Sequence, residues 1–129
     1  MAQKTTYVRF QVSKDTADKT YQLLQVAKDT GKIRKGTNET TKAIERGSAK
    51  LVVIAEDVEP PQIVAHLPIL CEERKIPFLF VPSKLELGKS AGLDVGSAAV
   101  SILEAGDGAD ALKDLHRTLE GLRKSGATG

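Results

Sequence analysis

Tryptophan is missing from this chain, and aromatic residues make up only 4% of it. A surface that stacks several unpaired bases needs more rings than that. Cysteine occurs once, as Cys71, so no disulfide can form within the chain and a reducing compartment suits it. No apolar stretch approaches the ~20 residues needed to cross a membrane. The N-terminus is polar and lacks a hydrophobic run, which predicts no signal peptide, a cytoplasmic protein and no membrane partner. Net charge is +2, too small to announce a nucleic-acid partner by itself. With one cysteine and two distant histidines, His66 and His116, no zinc-type spacing exists. Walker loops, GxGxxG and a nucleophile elbow are absent, and no cofactor is expected.

What remains is ordinary for a globular protein: 40% apolar and 28% charged residues over a length of 129. That length favours a single domain over residues 1–129 with room for a core. The charge is uneven. Lys28, Lys32, Arg34, Lys35, Lys42 and Arg46 face only Asp29, Glu39 and Glu45 in the same stretch. After Ile102 the acids slightly outnumber the bases. A basic patch is therefore expected in the first half.

Within that basic stretch lies the segment around which the chain is organised, Gly36-Thr37-Asn38-Glu39-Thr40-Thr41-Lys42-Ala43-Ile44-Glu45-Arg46-Gly47. It reads as a loop turning into a short helix closed by glycine. Gly36 eases the turn, Thr37 or Asn38 is expected to cap it, and Gly47 fits the position past its end. Helical spacing gathers Asn38, Glu39, Lys42 and Arg46 on one face, with Thr40, Ala43 and Ile44 on the other. A helix start with free N–H donors, an amide, a carboxylate and a cation can hold phosphate and read base edges together. The plain alternative is a capped surface helix with solvated charges.

Residues 6–11 are extended in character, with Tyr7, Val8 and Phe10 as burial candidates. Ser13 is expected to cap a helix to about Thr30, with Ala17, Tyr21, Leu24 and Ala27 or Lys28 as its apolar stripe. Residues 33–35 form a bridge or short strand. Leu51-Val52-Val53-Ile54-Ala55 and Phe78-Leu79-Phe80-Val81 are continuously apolar, as strands covered on both faces are. An acidic turn, Glu56, Asp57 and Glu59, follows the first of these. It reads as solvated, with metal binding as the alternative. A helical turn over residues 62–66 leads to a helix begun near Pro68 and ending near Lys75. Ser83 is expected to cap a helix to about Ala91, and residues 93–97 form a loop. A strand over residues 98–102 comes next, and Gly106 and Gly108 break the chain. A last helix, about residues 109–124, carries Leu112, Leu115, Leu119 and Leu122 as one seam, with a mobile tail from about residue 125. The alternation predicts an α/β fold, a three-layer α-β-α sandwich about a central mixed sheet. His66 reads as a capping or packing residue and Cys71 as a core residue.

Two classes survive: a non-catalytic RNA-binding module, and a small α/β enzyme that holds a phosphorylated substrate at the Gly36 to Glu39 helix start. An enzyme also needs a paired acid and base, and none stands out.

Three motifs then carry a resemblance. They are the segment from Gly36 to Gly47, Leu51-Val-Val-Ile-Ala-Glu-Asp-Val-Glu-Pro60, and Val81-Pro-Ser-Lys-Leu-Glu-Leu-Gly-Lys-Ser-Ala-Gly-Leu93. In order and spacing the chain resembles the archaeal large-subunit ribosomal protein L-seven-Ae family of kink-turn RNA-binding proteins. The resemblance implies a non-enzymatic protein that holds kink-turn and kink-loop RNA containing sheared G·A pairs. It implies ribosomal RNA, box C/D and H/ACA guide RNA and RNase P RNA as partners, together with guide-RNP and RNase P proteins, and a monomer when free. It places Gly36 and Thr37 in the RNA-binding site, assigns Asn38, Glu39 and Lys42 to the G·A pairs, and sets Glu59, Ile63 and Lys84 near the extruded base. Leu93, Asp94, Val95, Gly96, Ser97 and Ala98 match the loop that covers that base and sets specificity. Val95 stands where some relatives carry arginine.

Overall fold

The computed structural model describes residues 14–128. The extended stretch at residues 6–11 and the cap expected at Ser13 lie outside the described residues. In chain order the elements are α1 (Lys14–Thr30), β1 (Lys32–Lys35), α2 (Thr37–Glu45), β2 (Leu51–Ala55), a 3-10 turn (Pro61–Ile63), α3 (His66–Arg74) and β3 (Phe78–Val81). There follow α4 (Lys84–Ser90), β4 (Ala99–Glu104), a second 3-10 turn (Gly106–Gly108) and α5 (Ala109–Thr128).

The four strands form one mixed sheet in the order β1-β4-β2-β3. β2 and β3 run parallel, while β4 is antiparallel to both β1 and β2. That register has a consequence for function. Lys35 pairs with Val100, Ile54 with Ala99, and Ala55 with Val81. So β1, β2 and β3 finish at the end of the sheet where β4 starts. The connections that follow the first three strands and the one that precedes β4 all meet there.

Every residue of β2 and of β3 is buried, as continuous apolar runs require when helices cover both faces. α1 packs with α4 and α5, and α2 packs with α3. Ile44, Leu51, Ile54, Leu67, Leu79, Phe80, Leu87 and Ile102 are among the fully buried side chains between them. Each such side chain contributes about 1.5–3 kcal/mol by leaving water. The α1 stripe is wider than its spacing predicts: Thr20 and Leu23 are buried beside Ala17, Leu24 and Ala27, and Lys28 is exposed. On α5, Leu112, Leu115 and Leu119 are buried against the body, as the leucine seam predicts. Leu122 lies outside the residues whose side chains are described. The helix runs to Thr128, past the end expected near Lys124. No helix among the described residues is long and apolar enough to cross a membrane.

Cys71 is fully buried in α3. Burial, with a smaller contribution from Glu72, pushes its thiol up from 9.0 to about 12. The folded state thus favours the neutral thiol. Its contribution to stability is complete below about pH 9 and is lost as pH rises from there toward 12. The thiolate is the reactive form. Iodoacetamide at pH 8 is therefore expected to label Cys71 only in denaturant. Labelling of the native protein at the unfolded rate would contradict this.

Candidate nucleic-acid interface

α2 begins at Thr37, earlier than a Thr37 or Asn38 cap requires. The residue before its first turn is Gly36, at φ 95° and ψ 157°, and no side chain caps the helix. Thr37 and Asn38 lie inside the helix as its first two residues, so neither acts as the cap expected of them. Glycine takes that positive φ without the clash a Cβ causes. The Gly36 N–H donates to Ala99 O at 2.8 Å, which ties the helix start to the beginning of β4. Thr40 N–H donates to Gly36 O at 3.0 Å. Among the described residues the N–H groups of Thr37, Asn38 and Glu39 have no partner, which leaves three donors at the positive end of the helix dipole.

The two faces of α2 fall as the spacing predicts. Asn38, Glu39, Lys42 and Arg46 are exposed, and Thr40, Ala43 and Ile44 are buried. Burial of the second set fixes which way the first set points. Lys42 Nζ stands 3.6 Å from Glu39 Oε2. Both side chains are about half exposed, so this pair adds little to stability. Gly47 closes the helix at φ 71°, with Gly47 N–H on Ile44 O and Ser48 N–H on Ala43 O.

α4 and the loop of residues 93–98 build the neighbouring wall. Ser83 Oγ accepts from Glu86 N–H at 3.2 Å, the expected cap. Asp57 Oδ1 accepts from Lys84 N–H at 2.8 Å. One member of the acidic turn therefore anchors the start of α4, while Glu59 is exposed. No group of acids, cysteines and histidines suited to a metal occurs among the described residues. The loop is held by its backbone at both ends. Leu93 N–H donates to Gly88 O at 2.9 Å, and Ser97 N–H donates to Lys84 O at 3.0 Å. Ser97 is buried, and its hydroxyl donates to Ala99 O at 2.9 Å. Ala55 N–H donates to Ala98 O at 2.9 Å. Lys84 also lies against Gly96, where a Cβ would come 3.2 Å from Lys84 Cγ.

The structure thus brings the residues expected to form the site to one end of the sheet on four connections. Gly36 to Lys42 follow β1, Glu59 and Ile63 follow β2, Lys84 follows β3, and residues 93–98 precede β4. Asp94, Val95 and Gly96 are exposed, Leu93 and Ala98 are half-buried, and Ser97 shapes the loop from inside. Ile63 is 44% exposed, Leu85 48% and Val95 66%. These branched apolar side chains stand in water on three of the four connections. Two contributors escape sequence reasoning, Asp57 and Leu85. An aspartate 27 positions before the N–H it accepts from leaves no local pattern. Leu85 has the composition of a core residue and only its position exposes it. His66 neither caps α3 nor packs in the core: it is exposed as the first residue of that helix, with Nε2 2.9 Å from Thr41 Oγ1.

Fold and site together define a small α/β protein that gathers four connections around an uncapped helix start. The sequence profile of the ribosomal protein L7Ae/L30e/S12e/Gadd45 family matches residues 18–112, and the chain belongs to that family. Among solved structures, the chain is similar to the Giardia lamblia 15.5kD RNA binding protein. The two superpose with a TM-score of 0.83 at 29% identity, covering 87% of this chain and 93% of the other. The family resemblance read from the three motifs and the α/β fold both stand.

Proposed function

We propose that this chain is a non-catalytic RNA-binding protein that recognises kink-turn and kink-loop RNA through sheared G·A pairs. In this reading it serves the large ribosomal subunit, the box C/D and H/ACA guide RNPs and RNase P, binding their RNAs as a monomer and offering the complex to their other proteins. The observation that carries the reading is the first turn of α2. Three unpartnered N–H groups stand there beside exposed Asn38, Glu39 and Lys42. An amide and a carboxylate suit base edges, while N–H groups and a lysine suit phosphates. A-form RNA keeps its deep groove closed to side chains, so this helix start needs RNA that is already distorted. A kink opens such a groove. Ile63, Leu85 and Val95 supply apolar area for one displaced base, which accords with so few aromatic residues. The RNA bends because the protein binds its kinked form better, a shift between existing populations. An enzyme using the same helix start has only that feature in its favour, and family membership favours the RNA reading.

The test is an RNA duplex carrying a kink-turn with a fluorophore on each outer end. Adding protein in buffer without magnesium is expected to raise energy transfer as the stems fold together. Unchanged transfer at saturating protein would refute the proposal.

Val95 gives a second expectation. An apolar side chain covers a base by area, worth on the order of 1 kcal/mol, and has no donor with which to choose among bases. Arginine there adds a charge and five donors. Val95→Arg is expected to raise affinity for RNA in general and to separate a kink-turn with two stems from a kink-loop that lacks one. Titration of both RNAs decides it. Equal gains on both would mean that residue 95 meets only the phosphate field.

A further inference from the structure

We propose that His66 and Thr41 form a relay from the start of α3 to the first carbonyl of α2, and that this relay positions Asn38 and Glu39 for RNA. The inference rests on the RNA reading above. Thr41 Oγ1 lies 2.8 Å from Thr37 O and 2.9 Å from His66 Nε2. A hydroxyl has one proton, and a carbonyl can only accept. Both contacts are hydrogen bonds only when Thr41 O–H donates to Thr37 O and His66 Nε2–H donates to Thr41 Oγ1. The geometry thereby selects the imidazole form that carries its proton on Nε2.

The relay joins two parts of the interface. Thr37 is the first residue of α2, and His66 is the first residue of α3, shortly after Ile63 in the 3-10 turn. Other restraints on the first turn are backbone bonds, Gly36 N–H to Ala99 O and Thr40 N–H to Gly36 O. The buried side chains of α2, Thr40, Ala43 and Ile44, begin only after that turn. They fix the axis of the helix and leave its first turn to be set locally. A threonine that bonds back by four residues tends to bend its helix, and a second partner on the hydroxyl fixes the amount. His66 and Thr41 are therefore positioning residues, which act on RNA through the placement of Asn38 and Glu39. Their hydrogen bond is exposed, so the fold does not depend on it.

The test uses the full chain with the variants Thr41→Val, Thr41→Ser, His66→Leu and His66→Gln, and the double variant Thr41→Val with His66→Leu. Each is titrated with a kink-turn RNA and with the same RNA after replacement of its G·A pairs, and each free protein is melted. Thr41→Val and His66→Leu are expected to lose about fivefold in kink-turn affinity, the usual worth of one hydrogen bond. Thr41→Ser and His66→Gln keep a hydroxyl or an N–H donor and are expected to recover most of it. The double variant should lose no more than the worse single one, because the two residues act through one connection. Melting temperatures should stay near wild type. Unchanged affinity, losses that add in the double variant, or losses that follow melting temperature would each overturn the relay while leaving the RNA reading intact. A wild type that binds both RNAs equally would overturn the reading and the relay with it.

Discussion

Replacing Asn38 or Glu39 with alanine is expected to weaken kink-turn binding by about 1–3 kcal/mol each, the range of a good base contact. Both side chains are exposed on the first turn of α2, so neither change should unfold the protein. The loss should appear with the kink-turn and shrink with an RNA whose G·A pairs have been replaced, since only the former presents the edges they are proposed to read. Lys42→Ala is the internal contrast. A lysine on phosphate contributes without regard to sequence, and its removal should lower the slope of affinity against salt by about one unit. Because Lys42 also faces Glu39, its loss frees that carboxylate and should not abolish discrimination. Titrations at several salt concentrations separate the two kinds of loss. Unchanged affinity in all three variants would remove α2 from the interface.

Gly88→Ala should strike the protein harder than a helix surface substitution normally does. In an open helix, alanine gains up to about 1 kcal/mol over glycine. At Gly88 a Cβ would collide with the carbonyl oxygen of Val95 and press on Gly96 Cα at 3.0 Å. Both neighbours are backbone, so neither can swing aside as a flexible side chain would. The hydrogen bond from Leu93 N–H to Gly88 O holds the two segments together from the other direction. The loop of residues 93–98 must therefore move or the helix must shift. Crowding of this kind costs about 1–3 kcal/mol, and the propensity gain offsets only part of it. Melting is expected to occur earlier, and RNA affinity should fall along with it, because Val95 moves away from the base it is proposed to cover. A variant that melts later than wild type would show that the loop yields freely and that its backbone contact with α4 carries no constraint.

The sequence made some of this legible and hid the rest, for physical reasons. Residues 51–55 and 78–81 announce covered strands because a strand buried on both faces has no polar side to alternate. The helix from Thr37 to Glu45 is legible because glycine at each end and an apolar stripe at helical spacing act locally. Ser83 announces its cap for the same reason, three residues before the N–H it accepts. The cap of α2 is hidden because a threonine and an asparagine at a helix start look like caps. Glycine at φ 95° takes the cap position and leaves both inside the helix. What no local pattern carries is the sheet order. The order β1-β4-β2-β3 is what brings four connections to one end, and it is decided by long-range pairing. Asp57 on Lys84 N–H and His66 on Thr41 belong to the same category, since each joins residues that meet only after the sheet has formed. Gly88 is similar: nothing in a helical stretch reveals that another backbone passes against it.

On the proposed function, this end of the sheet reads the kink itself and not RNA charge in general. The most direct measurement is the affinity of the wild-type chain for two RNAs that differ only in the G·A pairs, at one salt concentration near physiological strength. A clear preference is expected for the RNA that keeps those pairs, by at least two good base contacts or about 2–6 kcal/mol. Equal affinity for the two would contradict it.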